Sequence, residues 1–422
     1  MNQISGRVTR AMKRRSQVWR VVLAASMLAA CSSTGSPAVG ASGSPAAATS
    51  TTAKQAAAHG VEAAITDVPW SQVGPGWTLA TWSPVPGAHP GAPPSPGEPT
   101  HETATTTLYL VNPAGGRYAI TTFPPPGDGP SPMLVDWSGD GSRALFYAPG
   151  SSTAVIEVDL HSGRQSTVAV DHFDITPRYS RPDGKALLLV KSNDVHSPAS
   201  LERVDLAGNH QLTYPVQKLG STFNADYLST PDGLRLVLGT ASGLAVMGND
   251  GTLGKTLPIL GERDCTPTRW WDTGSAIVVA RCHGPNYDYS RLWLVPIDAG
   301  TPTTLSAANT GQDGPDLGDE TAWRLPSGTF VQAEGPCGHK FLAKLNADGT
   351  TSQVSVPNVD SRRSVVVVGV NGGDLTLRAS VSCGTGESLL DYNPASSTST
   401  VLLGPTVNGG GVIGAVPYSG RE

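Results

Sequence analysis

The chain has 422 residues, with 29 Lys/Arg against 34 Asp/Glu and a formal net charge of −5. An acidic balance argues against nucleic acid and against electrostatic adhesion to anionic lipid, both of which need basic patches.

The N-terminus carries Arg7, Arg10, Lys13, Arg14, Arg15 and Arg20, then an apolar run from Val21 to Ala30 that ends in small residues before Cys31. That order is a bacterial secretory signal. About ten apolar residues are too few to cross a hydrocarbon core, which needs roughly 20. Leu28-Ala29-Ala30-Cys31 resembles the lipobox of bacterial lipoproteins, where cleavage precedes the cysteine and an acyl lipid joins its sulfur. The resemblance implies a signal peptide over 1–30 and a mature chain that starts at Cys31. That chain is expected to be lipid-anchored at the extracytoplasmic face of the cell membrane. An ordinary signal peptide with an incidental cysteine is the alternative, and Met12 offers a second start. Residues 1–30 hold six basic residues and no acid, so 29 less six leaves 23 basic against 34 acidic, a net −11.

Residues 31–60 are Ser, Thr, Ala, Gly and Pro with almost no large apolar side chain. Such a segment cannot offset the entropy of ordering and is expected to be a flexible tether. Pro84 to Thr103 is a second low-complexity piece, expected as a surface loop inserted into the folded domain at 61–422.

From Val61 onward, short β-rich runs alternate with turn signals. The unit is an aromatic-ended strand, a tight Gly turn and a second apolar strand. It appears at Val135-Asp136-Trp137 to Tyr147, at Arg178-Tyr179-Ser180-Arg181-Pro182-Asp183-Gly184 to Val190, and at Asp226-Tyr227 to Leu238. It returns at Arg269-Trp270-Trp271 to Val279 and Ala322-Trp323 to Val331, with weaker copies at Val68 to Ala80 and Val365 to Leu377. Pro-Asp-Gly suits the turn, because proline presets φ, Asp bonds back to the backbone and Gly accepts a left-handed conformation. Seven copies roughly 42 to 55 residues apart predict an all-β, seven-bladed β-propeller of four-stranded blades. The blades are expected at 61–126, 132–171, 173–218, 222–260, 263–308, 319–357 and 361–405. The repeated aromatic rings should fill the wedges between them. Trp/Tyr-Ser-x-Pro-Asp-Gly-x-x-Leu resembles the repeat of TolB-like β-propeller lipoproteins of actinobacterial type, shared with the propeller domains of prolyl-oligopeptidase enzymes. The tail Val412 to Tyr418 echoes a first strand and is expected to pair beside the N-terminal blade, removing an exposed edge.

Four cysteines besides Cys31 predict disulfides in an exported chain. If Trp271 faces Ala276, counting six residues outward on each strand sets Cys265 opposite Cys282. Cys337 and Cys383 each follow a second strand, so neighbouring blades can bring them together. Asp136, Arg178, Asp226 and Arg269 occupy one place in successive repeats and alternate in sign, which predicts an arc of ion pairs around the channel. The alternative is that Asp136 and Asp226 cap their own turns.

No G-x-S-x-G elbow, HExxH or CxxC occurs, and the nine histidines are scattered. Ser138 to Gly141 is similar to the Asp-box of sialidases but lacks its residue order and closing aromatic. Asp319 with Glu320, or Asp171 with Asp174, could pair for glycoside chemistry, but acids at strand ends usually serve turns. Gly409 to Gly411 lacks the Lys-Ser/Thr of a phosphate loop. The sequence therefore assigns no catalytic, cofactor-binding or metal residue and no cofactor. It predicts a membrane-tethered binding or scaffold protein for an envelope protein, peptide or glycan, without nucleic acid. The alternative is a lactonase- or glycosidase-like propeller enzyme with a site dispersed over several blades.

Overall fold

The computed structural model describes residues 54–85, 96–148, 154–170, 175–191, 199–272, 274, 276–311, 318–360, 363–380, 387–404 and 410–418. The lipobox cysteine Cys31, nearly all of the tether and the middle of the Pro-rich loop lie outside them.

The described residues fold into successive four-stranded antiparallel sheets, each strand pairing with the next in the chain. Sheet 2 runs Met133–Trp137, Arg143–Ala148, Ala154–Asp159 and Gln165–Val168. Sheet 3 spans Ile175–Tyr179 to His210–Thr213, sheet 4 Phe223–Ser229 to Leu253–Pro258, and sheet 5 Arg263–Trp270 to Thr303–Thr304. Sheet 6 spans Gly318–Leu325 to Thr351–Gln353 and sheet 7 Val365–Asn371 to Thr398–Leu403. One backbone pairing, Thr240 with Cys265, joins sheets 4 and 5.

The first strands of most neighbouring sheets touch one another, which makes them the inner wall of a ring. Burial explains the arrangement. Each described apolar cluster is shared by two neighbouring sheets, from Trp137 and Phe146 against Leu79 and Tyr118 between sheets 1 and 2, to Leu389 and Leu403 against Ala80 and Val412 between sheets 7 and 1. A lone sheet would leave both faces wet, and the ring buries both. The repeat's rings fill these wedges, with Trp137 and Tyr179 almost wholly buried. Turns nest as well. Gly233 has φ +72°, and a Cβ there would lie 1.8 Å from the Arg181 carbonyl oxygen of the neighbouring turn, so only glycine fits. The ring of β-sheets is a propeller.

Sheet 1 departs from the expected repeat. Val68 to Gly76 forms a 3-10 turn at Trp70–Gln72 instead of a first strand. Pro69 and Pro75 remove backbone donors that an inner strand would need. The vacant place is taken by Gly411–Pro417, which pairs antiparallel with Thr78–Ser83. Thr106–Val111 and Arg117–Phe123 complete the sheet, and Glu62–Ala64 adds an outer strand parallel to the last of these. The N-terminal blade thus draws its innermost strand from the end of the chain.

Candidate functional site at the channel mouth

In sheets 2 to 7 the first strand ends and the second begins at one end of the ring, the lower face; the second strand ends at the other, the upper face. The first strands line the channel, and their exposed side chains differ around it. Met133 of sheet 2 and Ile413 of sheet 1 give an apolar arc. Sheets 3 to 5 give a polar one, with Thr176, Arg178 and Asp226 exposed and Asn224, Thr266 and Thr268 half-buried.

The four charges expected to pair with one another are wired differently. Asp136 is buried and accepts hydrogen bonds from the Tyr179 backbone N–H (2.8 Å) and from Arg181 (2.9 Å), not from Arg178. Asp226 accepts from the Thr266 hydroxyl at 3.0 Å, and the Arg269 guanidinium lies 5.0 Å from the Trp323 ring centroid. Arg178 donates a long hydrogen bond to the Val135 carbonyl and, among the described residues, comes within 4 Å of no carboxylate. Asp136, Asp226 and Arg269 therefore reach into the next sheet by unlike bonds, not as an ion-pair arc. Bulges explain the divergence. One lies between Leu134 and Asp136, one between Phe223 and Tyr227 and one between Pro267 and Arg269, whereas the sheet 3 strand pairs without one. Each inserted residue re-aims the side chains beyond it.

A chain of alternating charge does exist, and of the four expected residues it keeps only Arg178 and Asp226. Although the residue keeps an exposed edge, desolvation of its carboxyl group raises the Asp226 pKa, while the Thr266 hydroxyl bond and the attraction of Arg178 and Arg281 pull it down. Arg281 lies 3.9 Å from Glu320, Glu320 also bonds Lys340, and Lys340 lies 3.2 Å from Glu334. From Arg178 to Glu334 the signs alternate across sheets 3 to 6, climbing toward the upper face. Arg281, Glu320, Lys340 and Glu334 lie outside the aromatic repeat, so no periodic signal marks them. Glu320 is engaged by two cations and Asp319 is buried, so the two do not form a free acid pair. Asp171 and Asp174 lie outside the described residues.

Beside this chain stands a rigid corner. The sulfurs of Cys265 and Cys282 lie 2.11 Å apart, across adjacent strands of sheet 5. The register that brings them together is not the simple count from the turn. Trp271 bonds Ile277 instead of facing Ala276, and the bulge between Pro267 and Arg269 restores the offset by Thr266, which faces Arg281. The Cys383 side of the second expected pair lies outside the described residues, and with it the pairing to Cys337. Next to the disulfide, Asp264 (φ +45°) and Tyr287 (φ +58°) both hold left-handed backbones, as does Ala225 (φ +75°) beside Asp226. Such conformations are costly for residues with a side chain and concentrate at functional sites. The Tyr287 hydroxyl donates to Asp264, the Arg263 guanidinium lies 4.5 Å from its ring centroid, and Arg263 donates to the Pro285 carbonyl at 3.0 Å. Glu262, its side chain wholly buried, takes Arg291 through Oε1, while its Oε2 has no hydrogen-bond partner. Burial and the nearby Arg281 lower the His283 pKa, favouring a neutral imidazole.

Among the described residues, no group of three or more His, Cys, Asp or Glu side chains is placed to hold a metal ion. No described helix is long and apolar enough to cross a membrane.

No protein-family model and no curated protein matches the sequence. Similar solved structures share 10–15% identity. TolB from Acinetobacter baumannii matches at 12% identity and TM-score 0.41, over 80% of this chain and 66% of that one. The β-propeller domain of the Trilobed protease from Pyrococcus furiosus matches at 10% and 0.44, over 72% and 91%. An oligogalacturonate lyase from Vibrio parahaemolyticus matches at 12% and 0.43, over 71% and 81%. The structural neighbours thus include TolB-like β-propeller proteins alongside enzymes, all at low identity.

Proposed function

We propose that this chain is a lipid-tethered extracytoplasmic binding protein that takes its partner at the upper mouth of the channel. One observation carries the reading. Three left-handed non-glycine residues, Ala225, Asp264 and Tyr287, meet there beside an exposed polar wall. Three of the five described non-glycine residues with left-handed backbones, the others being Asn358 and Ser397, lie on the face opposite the turns, which supports a site there. Tethering rests on the Leu28-Ala29-Ala30-Cys31 resemblance. Cys31→Ala is expected to abolish labelling by an alkynyl fatty acid and to release the protein from membranes or leave it uncleaved. A variant still labelled and membrane-bound refutes the anchor.

The binding face is tested by photo-crosslinking in intact cells. A crosslinker at Thr176 on the channel wall should capture a discrete species that one at Asn209, in a lower turn, does not. Capture from Asn209 alone refutes the assignment. A second reading, a propeller enzyme with a dispersed site, draws on Asp226, a channel-wall carboxyl whose pKa is shifted upward, the direction a proton donor needs. Loss of a measured hydrolytic or eliminative turnover in Asp226→Asn, with partner capture unchanged, would favour it.

A further inference from the structure

Tyr287 is more than half exposed (55%) in a backbone conformation that a tyrosine rarely adopts. Exposure of a large ring is ordinary on its own, but exposure combined with strain and three-sided fixation is not. Arg263 lies 4.5 Å from the ring centroid, the hydroxyl is tied to Asp264, and His283 lies 5.6 Å away at 50°. Arg263 and Asp264 are held by the strand that carries Cys265, and His283 by the strand that carries Cys282. The ring is therefore a fixed platform open to solvent, with little rotamer entropy left to lose on binding.

The groups around it say what it suits. Asp264 lies beside Arg263 (3.6 Å), Glu262 is matched by Arg291, and Glu320 and Glu334 by Lys340 and Arg281. These pairs balance one another, and the exposed Asp288 next to Tyr287 leaves the corner slightly acidic, so nothing here draws an anionic ligand by its net charge. What is offered instead is a flat π-face ringed by mixed donors and acceptors: carboxylates, guanidinium groups and an imidazole that burial favours in its neutral form. A neutral sugar presents the complement, a face of C–H bonds edged by hydroxyls that both donate and accept.

We infer that Tyr287, with Arg263, Asp264 and His283, forms a stacking subsite for a neutral saccharide at the channel mouth. The inference rests on the binding-protein reading and names its ligand class. The test is saturation-transfer NMR and calorimetry on the full mature chain with cellohexaose, maltohexaose, mannohexaose and chitohexaose. At least one should bind. Tyr287→Ala should weaken it by about tenfold or more, whereas Tyr287→Phe, which keeps the ring, should stay within about twofold. Both variants are checked by urea denaturation, since an exposed side chain should be removable without unfolding. Two results overturn the proposal: no transfer from any of the four sugars, or binding that Tyr287→Ala leaves unchanged. Crosslinked capture from Thr176 that persists alongside either result would retire the saccharide and leave the binding-protein reading standing. Loss of capture together with saccharide binding would retire both.

Discussion

Asp136 is the most informative residue to perturb, because one buried carboxylate holds sheets 2 and 3 together. It is 3% exposed and accepts from the Trp137 N–H (2.9 Å), the Tyr179 N–H (2.8 Å) and Arg181 (2.9 Å). Arg181 also donates to the Trp137 carbonyl at 3.0 Å. Asp136→Ala leaves the guanidinium, whose side chain is 17% exposed, without its counter-charge. Breaking a buried pair costs about 3–5 kcal/mol, and each orphaned N–H adds about 1–3 kcal/mol when water cannot reach it. Water entering the new space makes these terms less than additive, so the expected loss is about 3–5 kcal/mol. Asp136→Asn keeps an acceptor but not the charge and should cost about 1.5–3 kcal/mol. Asp136→Leu combined with Arg181→Met removes both charges and should recover much of the loss, leaving mainly the Tyr179 N–H unsatisfied. Urea denaturation followed by tryptophan fluorescence reads all three, since Trp137 is wholly buried beside the pair. An alanine variant within about 1 kcal/mol of wild type, or a double variant worse than the single one, would refute the reasoning.

Three further outcomes are expected. Cys282→Ala opens a covalent loop of sequence separation 17, worth at most about 3 kcal/mol by loop entropy; free-thiol titration of the unfolded wild type and the shift in urea midpoint check both halves. Deleting residues from Gly411 onward should raise amide exchange across Thr78–Ser83, its hydrogen-bonded partner; unchanged exchange there would contradict the closure. Burial and the neighbouring Asp374 carboxyl raise the Asp391 pKa from 3.8 to about 6. The folded state therefore binds the proton more tightly, and this group's stabilisation is complete below about pH 4 and lost as pH rises through 6. Asp391→Asn should flatten the pH dependence of stability between those limits, and an unaltered profile would show that the carboxyl pair is not the source.

The strand order was legible because turn chemistry and apolar alternation are local. Pro182-Asp183-Gly184 and Pro231-Asp232-Gly233 each mark a turn without reference to the rest of the chain. The innermost strand of sheet 1 was harder to place, since Val68 to Gly76 echoes the repeat and only the two prolines argue against it. Bulges were invisible. A single extra residue beside Asp136 or Arg269 leaves the spacing of the repeat intact yet re-aims a side chain, which is why alternating charge on equivalent positions became unlike contacts. The charged chain through Arg281, Glu320, Lys340 and Glu334 was hidden for another reason. Its members lie in different strands of two sheets and meet only because the ring brings strand ends together. Tyr287 gave no signal at all, since a strained φ cannot be read from composition.

The pairing of Thr78–Ser83 with Gly411–Pro417 also sets an order of events in time. As the chain emerges from its N-terminus, each of sheets 2 to 7 can assemble from neighbouring residues, but sheet 1 must wait for the final strand. Until then the inner edge of Thr78–Ser83 presents unpaired N–H and C=O groups, the condition under which β-edges recruit wrong partners. Only a molecule finished through Pro417 can bury that edge, so a chain cut short is marked by it.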